Sequence, residues 1–161
     1  MTPTPPVTLR ALVAADAAVI TGWASDPEFA RAAGWTRQDH EQHHRRLIQT
    51  PPPDLIRLGA VVGGELVGYV DLHGVEVDHR ELGFVIGGRD RWGRGLGLGA
   101  AAAGLDYGFT VLRLREIRAA AAATNQRSVR ILTRLGFQAR ERSGAYLSFA
   151  IEAHAVVDRP A

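Results

Sequence analysis

The chain contains no cysteine and no lysine, and only one methionine. It also has no apolar run approaching the roughly 20 residues that a membrane-spanning helix needs. Without cysteine there is no disulfide framework, no thiol nucleophile and no thiolate metal site. Without lysine the Gly-Lys-Ser/Thr ending of a Walker-type phosphate loop is excluded. The opening Met1-Thr2-Pro3-Thr4-Pro5-Pro6 lacks the basic and apolar regions of a secretory signal. A cytoplasmic protein without a membrane partner is therefore expected. All 19 basic residues are arginine, balanced by 17 acids to a formal charge of +2. They are scattered rather than gathered into a stripe, so no nucleic-acid partner is expected. With 161 residues, 46% of them hydrophobic, the chain can bury the core of one domain, and it has no repeat or linker.

Chemistry concentrates in Arg89-Asp90-Arg91-Trp92-Gly93-Arg94-Gly95-Leu96-Gly97-Leu98-Gly99, which leads into an alanine run. Alternating glycines let a backbone approach a bulky group. Arginine keeps its charge and binds phosphate bidentately. A glycine turn entering a helix presents unpaired N–H groups and the positive end of the helix dipole, which suits a pyrophosphate. The same residues also fit a plain flexible loop. The strand-like run Glu81-Leu82-Gly83-Phe84-Val85-Ile86 just before them supplies a strand–turn–helix context for phosphate. A dinucleotide fingerprint fits poorly, because Glu116 lies in a charged Arg113–Arg118 segment rather than on a clean second strand.

Periodicity and turn signals give the order strand, two helices, three strands, helix, strand, helix, two strands. A first strand is expected over residues 7–11 and a helix capped by Asp16 running to Trp23, where Ser25-Asp26-Pro27 ends it. Residues 29–35 read as loop or a short turn, and a second helix runs from Thr36-x-x-Asp39 to Gln49 before three prolines. Strands 55–62 and 66–72 flank Gly63-Gly64, a hairpin signal. A strand at 81–86, a helix at 96–110 and a strand at 116–123 follow, the last despite its alanines. A helix at 128–134 stops at Gly136, and strands 137–142 and 145–152 close the chain. The class is mixed α/β, with residues 1–6 and 154–161 expected to fray.

Gly93-Arg94-Gly95-Leu96-Gly97, taken together with Asn125-Gln126-Arg127-Ser128-x-x-x-Leu132-x-x-Leu135-Gly136-Phe137, resembles the GNAT superfamily of acyl-CoA N-acyltransferases. The strand 81–86 and the Trp92–Gly97 loop look most like the branch of ribosomal-protein N-terminal acetyltransferases. The resemblance implies a central, mostly antiparallel sheet that splits in the middle and is flanked by helices. It implies acetyl-CoA as co-substrate, no metal, an amine acceptor that is a small molecule or a peptide, and a homodimer. Cofactor contacts would fall on Val85, Ile86, Trp92, Gly93, Arg94, Gly95, Leu96, Gly97 and Asn125. Departures from the superfamily pattern are Leu132, where many members place a tyrosine acid, and a connection Gly87–Arg91 one residue longer than usual.

Acyl transfer to an amine needs a base, because an alkylammonium with a pKa near 10 is mostly charged at neutral pH. Glu81 is the candidate base, against the alternative of a strand-end carboxylate in water or paired with arginine. Ser128 is the candidate proton donor to the thiolate, against a helix-end serine that satisfies backbone donors. A backbone N–H such as that of Val85 is the candidate oxyanion donor. The acceptor pocket is assigned to Trp35, Tyr69, Asp71 and His73, with Trp23, Phe29 and Glu76 beside them. The alternative reading of an acyl-CoA-binding sensor without catalysis stays open. His40, His43 and His44 have a spacing that would suit zinc but read as a solvated helix face beside Arg45-Arg46.

Overall fold

A computed structural model describes residues 6–36 and 40–154. The helix start expected at Asp39 lies outside them, as do most of the end segments expected to fray. The elements in chain order are β1 (Thr8–Ala11), α1 (Asp16–Trp23), α2 (Pro27–Ala32), α3 (Glu41–Gln49), β2 (Leu55–Val62), β3 (Glu65–His73) and β4 (His79–Ile86). After a 3-10 turn at Arg89–Arg91 come α4 (Leu96–Thr110), β5 (Glu116–Ala122), α5 (Gln126–Leu135), β6 (Gln138–Ser143) and β7 (Tyr146–Glu152).

The strands form one seven-stranded sheet in the order β1-β2-β3-β4-β5-β7-β6. Every neighbouring pair is antiparallel except β4 with β5. That parallel pair holds only at His79–Glu81 against Glu116–Arg118, after which the two strands part. The expected split sheet is therefore present, with its apex at Glu81.

The main core lies between the sheet and α4. Its buried side chains include Val70, Leu72, Leu82, Leu105, Ile117 and Phe149. The α4 segment is a helix despite its glycines because small residues let it sink onto the strands. A Cβ on Gly104 would come within 2.7 Å of Val70 and 2.9 Å of Leu82. The opposite face of the sheet is covered by a second cluster, in which Ile20, Val61, Leu66 and Tyr69 pack with Trp23, Trp35 and Ile48.

Several local expectations change. Residues 29–35 are not all loop: Asp26 caps α2 by accepting from the Glu28 N–H at 3.0 Å, and Pro27 opens the helix. An Asp-Pro pair is a helix start as well as a stop, since Pro at the first helical position gives up an N–H that has no partner there. Asp16 does not cap α1. It accepts two hydrogen bonds from Arg10, at 2.8 and 3.1 Å, and one from the Val13 N–H, tying β1 to α1. β4 begins at His79 rather than 81, and α5 at Gln126 rather than 128. The histidine triplet is not one solvated face. His40 caps α3 by accepting from the His43 N–H at 3.2 Å, whereas His44 is buried with its ring 4.7 Å from that of Trp35.

Candidate active site

Where β4 and β5 diverge, a cleft of about 780 Å³ opens. One wall is Phe84, Val85 and Ile86 of β4. A second is the loop and first turn of α4, with Trp92, Gly93, Gly95, Gly97 and Leu98. A third is α5 with the residues before it, including Asn125, Arg127, Ser128, Arg130 and Arg134, and Phe29 and Ala32 of α2 with its C-cap Ala33 close the rim. None of the lining residues is an aspartate or a glutamate.

Gly95 stands at the N-cap of α4 with φ +81°, left-handed backbone that glycine enters without strain. No side chain caps this helix, so the amides of its first turn end at the cleft with no internal partner. An uncapped helix end beside an acid-free, arginine-lined cavity fits a diphosphate. The loop arginines divide this work unevenly. Arg89 is paired to Asp26 and Glu28, and Arg91 to Glu65 and, at 2.8 Å, to the Gly87 carbonyl. They fasten the loop to α2 and β3 rather than standing free for a ligand. Arg94 is exposed and does not line the cleft, and Leu96 points into the core.

Trp92 anchors the loop to the end of β4, its Nε1–H donating to the Ile86 carbonyl at 2.9 Å. Just beyond, the indole of Trp23 lies against Gly87, where a Cβ would come within 2.0 Å of the ring. Asn125 is the N-cap of α5, its Oδ1 accepting from the Ser128 N–H at 3.2 Å. Both Asn125 and Ser128 line the cleft, so capping and facing the cavity coexist. Leu132 is buried at 1% exposure and has no hydroxyl to offer.

The acceptor-side candidates lie elsewhere. Glu81 is exposed at the apex of the split, in register with His73 on one side and Arg118 on the other. Asp71 is buried and accepts two bonds from Arg57, at 2.7 and 2.8 Å. His73 Nε2 is 3.5 Å from Asp71 Oδ2. Burial alone would raise the Asp71 pKa, but the hydrogen bonds from Arg57 and His73 outweigh it and hold the carboxyl below the usual range. The Asp71 hydrogen bond, aided by the charge of Glu81, raises His73 above its ordinary value against burial and Arg57. Tyr69 is sandwiched, with the Arg57 guanidinium 4.0 Å from its ring centre and Trp23 stacked at 6.5 Å. Trp35 packs edge-on against Phe29 at 5.2 Å. None of Trp35, Tyr69, Asp71, His73 and Glu81 lines the main cleft.

The profile of the acetyltransferase (GNAT) domain matches residues 7–138. The chain belongs to the GNAT acetyltransferase family. Its enzyme class follows, an acetyl-CoA-dependent N-acetyltransferase. This acetyltransferase is 29% identical over 141 residues to the uncharacterized N-acetyltransferase p20 of Bacillus licheniformis, covering 82% of this chain and 79% of that one. It is 29% identical over 126 residues to the spermidine N(1)-acetyltransferase of Escherichia coli (strain K12), covering 76% of this chain and 62% of that protein. Its fold matches the spermidine N-acetyltransferase from Vibrio cholerae in complex with CoA and spermine, with a TM-score of 0.79 at 20% identity over 94% of this chain and 98% of that one. It also matches a GNAT-family acetyltransferase from Bacillus anthracis, with a TM-score of 0.78 at 18% identity over 94% and 98%. Among the described residues of the acetyltransferase, no helix is long and apolar enough to cross a membrane.

Sequence reasoning missed two parts of this site. Ala32 and Ala33 reach the cleft because α2 exists, with Asp26-Pro27 as the available signal, and Phe29, assigned to the acceptor pocket, lines this cleft instead. The arginines of α5 were also passed over, although Arg127-x-x-Arg130-x-x-x-Arg134 carries the spacing of one helix face.

Proposed function

We propose that this acetyltransferase moves the acetyl group directly to a primary amine, and that a cationic small molecule of the polyamine type is the first acceptor to test. A peptide N-terminus, which the strand 81–86 and its loop suggest by resemblance, is the second arm. The observation that carries the reading is the parting of β4 from β5 directly after Glu81. It joins an anion-suited cleft on one side to a carboxylate at the apex.

When bound, acetyl-CoA supplies an acetyl group activated as a thioester. The amides at the start of α4 would hold the diphosphate, and the backbone of Ile86, with Val85 lining the cleft beside it, would guide the arm into the gap. In extended backbone the N–H and C=O of one residue face the same side. Because the Ile86 carbonyl faces Trp92 Nε1, the Ile86 amide points with it toward the gap and is the donor for the reacting carbonyl, in place of the Val85 amide, whose residue turns its backbone groups toward β3. Glu81 takes the proton from the incoming ammonium. His73, in register with Glu81 and held by Asp71, passes that proton toward solvent. Ser128 Oγ, for which no hydrogen bond occurs among the described residues, would donate to the departing sulfur and take back the proton that the attacking nitrogen sheds as the amide forms. Relatives that are spermidine acetyltransferases support a polyamine acceptor.

The test is acetyl-CoA consumption with spermidine, spermine, small amines and peptides bearing free Ala or Ser N-termini. Turnover with the polyamines is expected. Turnover with peptides alone replaces that acceptor, and CoA binding without turnover on any amine restores the sensor reading.

A further inference from the structure

The cleft carries more positive charge than a diphosphate requires. Arg127, Arg130 and Arg134 of α5 all line it, at i, i+3 and i+7, so they share one face of the helix. At 1.5 Å rise per residue the stripe is about 10 Å long. None of the three is in an ion pair among the described residues, whereas Arg10, Arg45, Arg57, Arg89, Arg91 and Arg118 each are. Arg127 reaches back to the loop, its guanidinium 4.9 Å from the Trp92 ring centre. Arg130 and Arg134 are exposed, with no acid among the cleft residues to neutralise them.

Three unpaired guanidinium groups repel one another and cost stability unless an anion answers them. The diphosphate is answered by the first-turn amides of α4 across the cleft. The α5 stripe is left to attract a second, separate anion. Resting on the acyl-CoA reading of the cleft, we propose that Arg127, Arg130 and Arg134 form a phosphomonoester subsite for the 3′-phosphate of coenzyme A. The stripe makes the enzyme select CoA over thioester carriers that end at the diphosphate. Arg127 closes the subsite on the loop side through Trp92, and Arg130 and Arg134 supply the forked donors that match phosphate oxygens.

Calorimetric titration of the purified full chain with CoA and with 3′-dephospho-CoA tests this without reference to turnover. The wild-type protein should bind CoA at least tenfold tighter, about 1.4 kcal/mol. The double variant Arg130→Gln/Arg134→Gln should lose that preference while keeping its affinity for 3′-dephospho-CoA, which also certifies its fold. Equal wild-type affinities for the two ligands overturn the subsite and leave the acyl-CoA reading standing. So does an equal loss of both in the double variant, which would make the stripe a diffuse field or a site for an acidic acceptor. Binding of neither ligand to the wild type overturns the subsite together with the acyl-CoA reading.

Discussion

Tyr69, Asp71 and His73 alternate onto one face of β3, yet of the three only His73 reaches solvent. Asp71 spends both oxygens on Arg57, and the pair is almost dry, with side-chain exposures of 8% and 12%. Removing one partner of such a pair strands the other charge. Asp71→Asn should therefore cost about 3–5 kcal/mol in chemical denaturation, and Arg57→Met/Asp71→Leu should recover most of it. His73 follows a different rule. Asp71, Glu81 and Arg57 face it, and the net effect favours its charged form. A raised folded pKa gives stability that is fully present below the unfolded value of about 6.5 and is lost as pH climbs through the folded value. Melting temperature should then fall between about pH 6 and 8 more steeply in the wild type than in His73→Gln. Glu81 makes the catalytic prediction. Glu81→Gln should lower kcat by about 10²-fold, most visibly toward low pH, with CoA affinity unchanged. A wild-type pH–rate profile would remove Glu81 as the base.

At the scale of elements, the loop entering α4 matters through its backbone. Gly95 holds a left-handed N-cap beside uncapped amides. Gly95→Asp adds a side chain that strains this conformation and a negative charge where phosphate belongs, so CoA affinity should drop at least tenfold by calorimetry, about 1.4 kcal/mol. Unchanged affinity would place the diphosphate elsewhere. This element was legible in the sequence because strand, glycine loop and helix signals are all local. The strand at β5 was legible too, since Ile117, Ala119 and Ala121 alternate inward. The hidden parts depend on tertiary pairing. Nothing local says that Arg89 and Arg91 are bound to Asp26, Glu28 and Glu65, which lie far away in the chain. The burial of His44 under Trp35 likewise depends on how α3 meets the loop before it. Asp26-Pro27 was legible and misread, because a stop for α1 and a start for α2 share the same two residues.

Taken whole, the molecule is two half-sheets, β1–β4 and β5–β7, joined edge to edge by the short seam at Asp78–Glu81 and bridged by α4. β4 and α5 line opposite walls of the cleft, so the proposed thioester carrier would couple halves that the backbone leaves apart. Binding to the folded state alone stabilises it by about 2.7 kcal/mol at a hundredfold excess over Kd. For a chain of this size each kcal/mol moves the midpoint by about 2–4 °C, so CoA should raise Tm by about 5–11 °C. ATP and NAD share the diphosphate but not the pantetheine arm proposed to run along Ile86, so their shifts at equal concentration should be smaller. A larger shift with either nucleotide would mean that the cleft reads the nucleotide and that the gap in the sheet serves another ligand. Amide exchange separates the cases further. CoA should slow exchange at Phe84–Ile86 and in the first turn of α5 together, whereas a nucleotide held only at the glycine loop should protect the start of α4 alone.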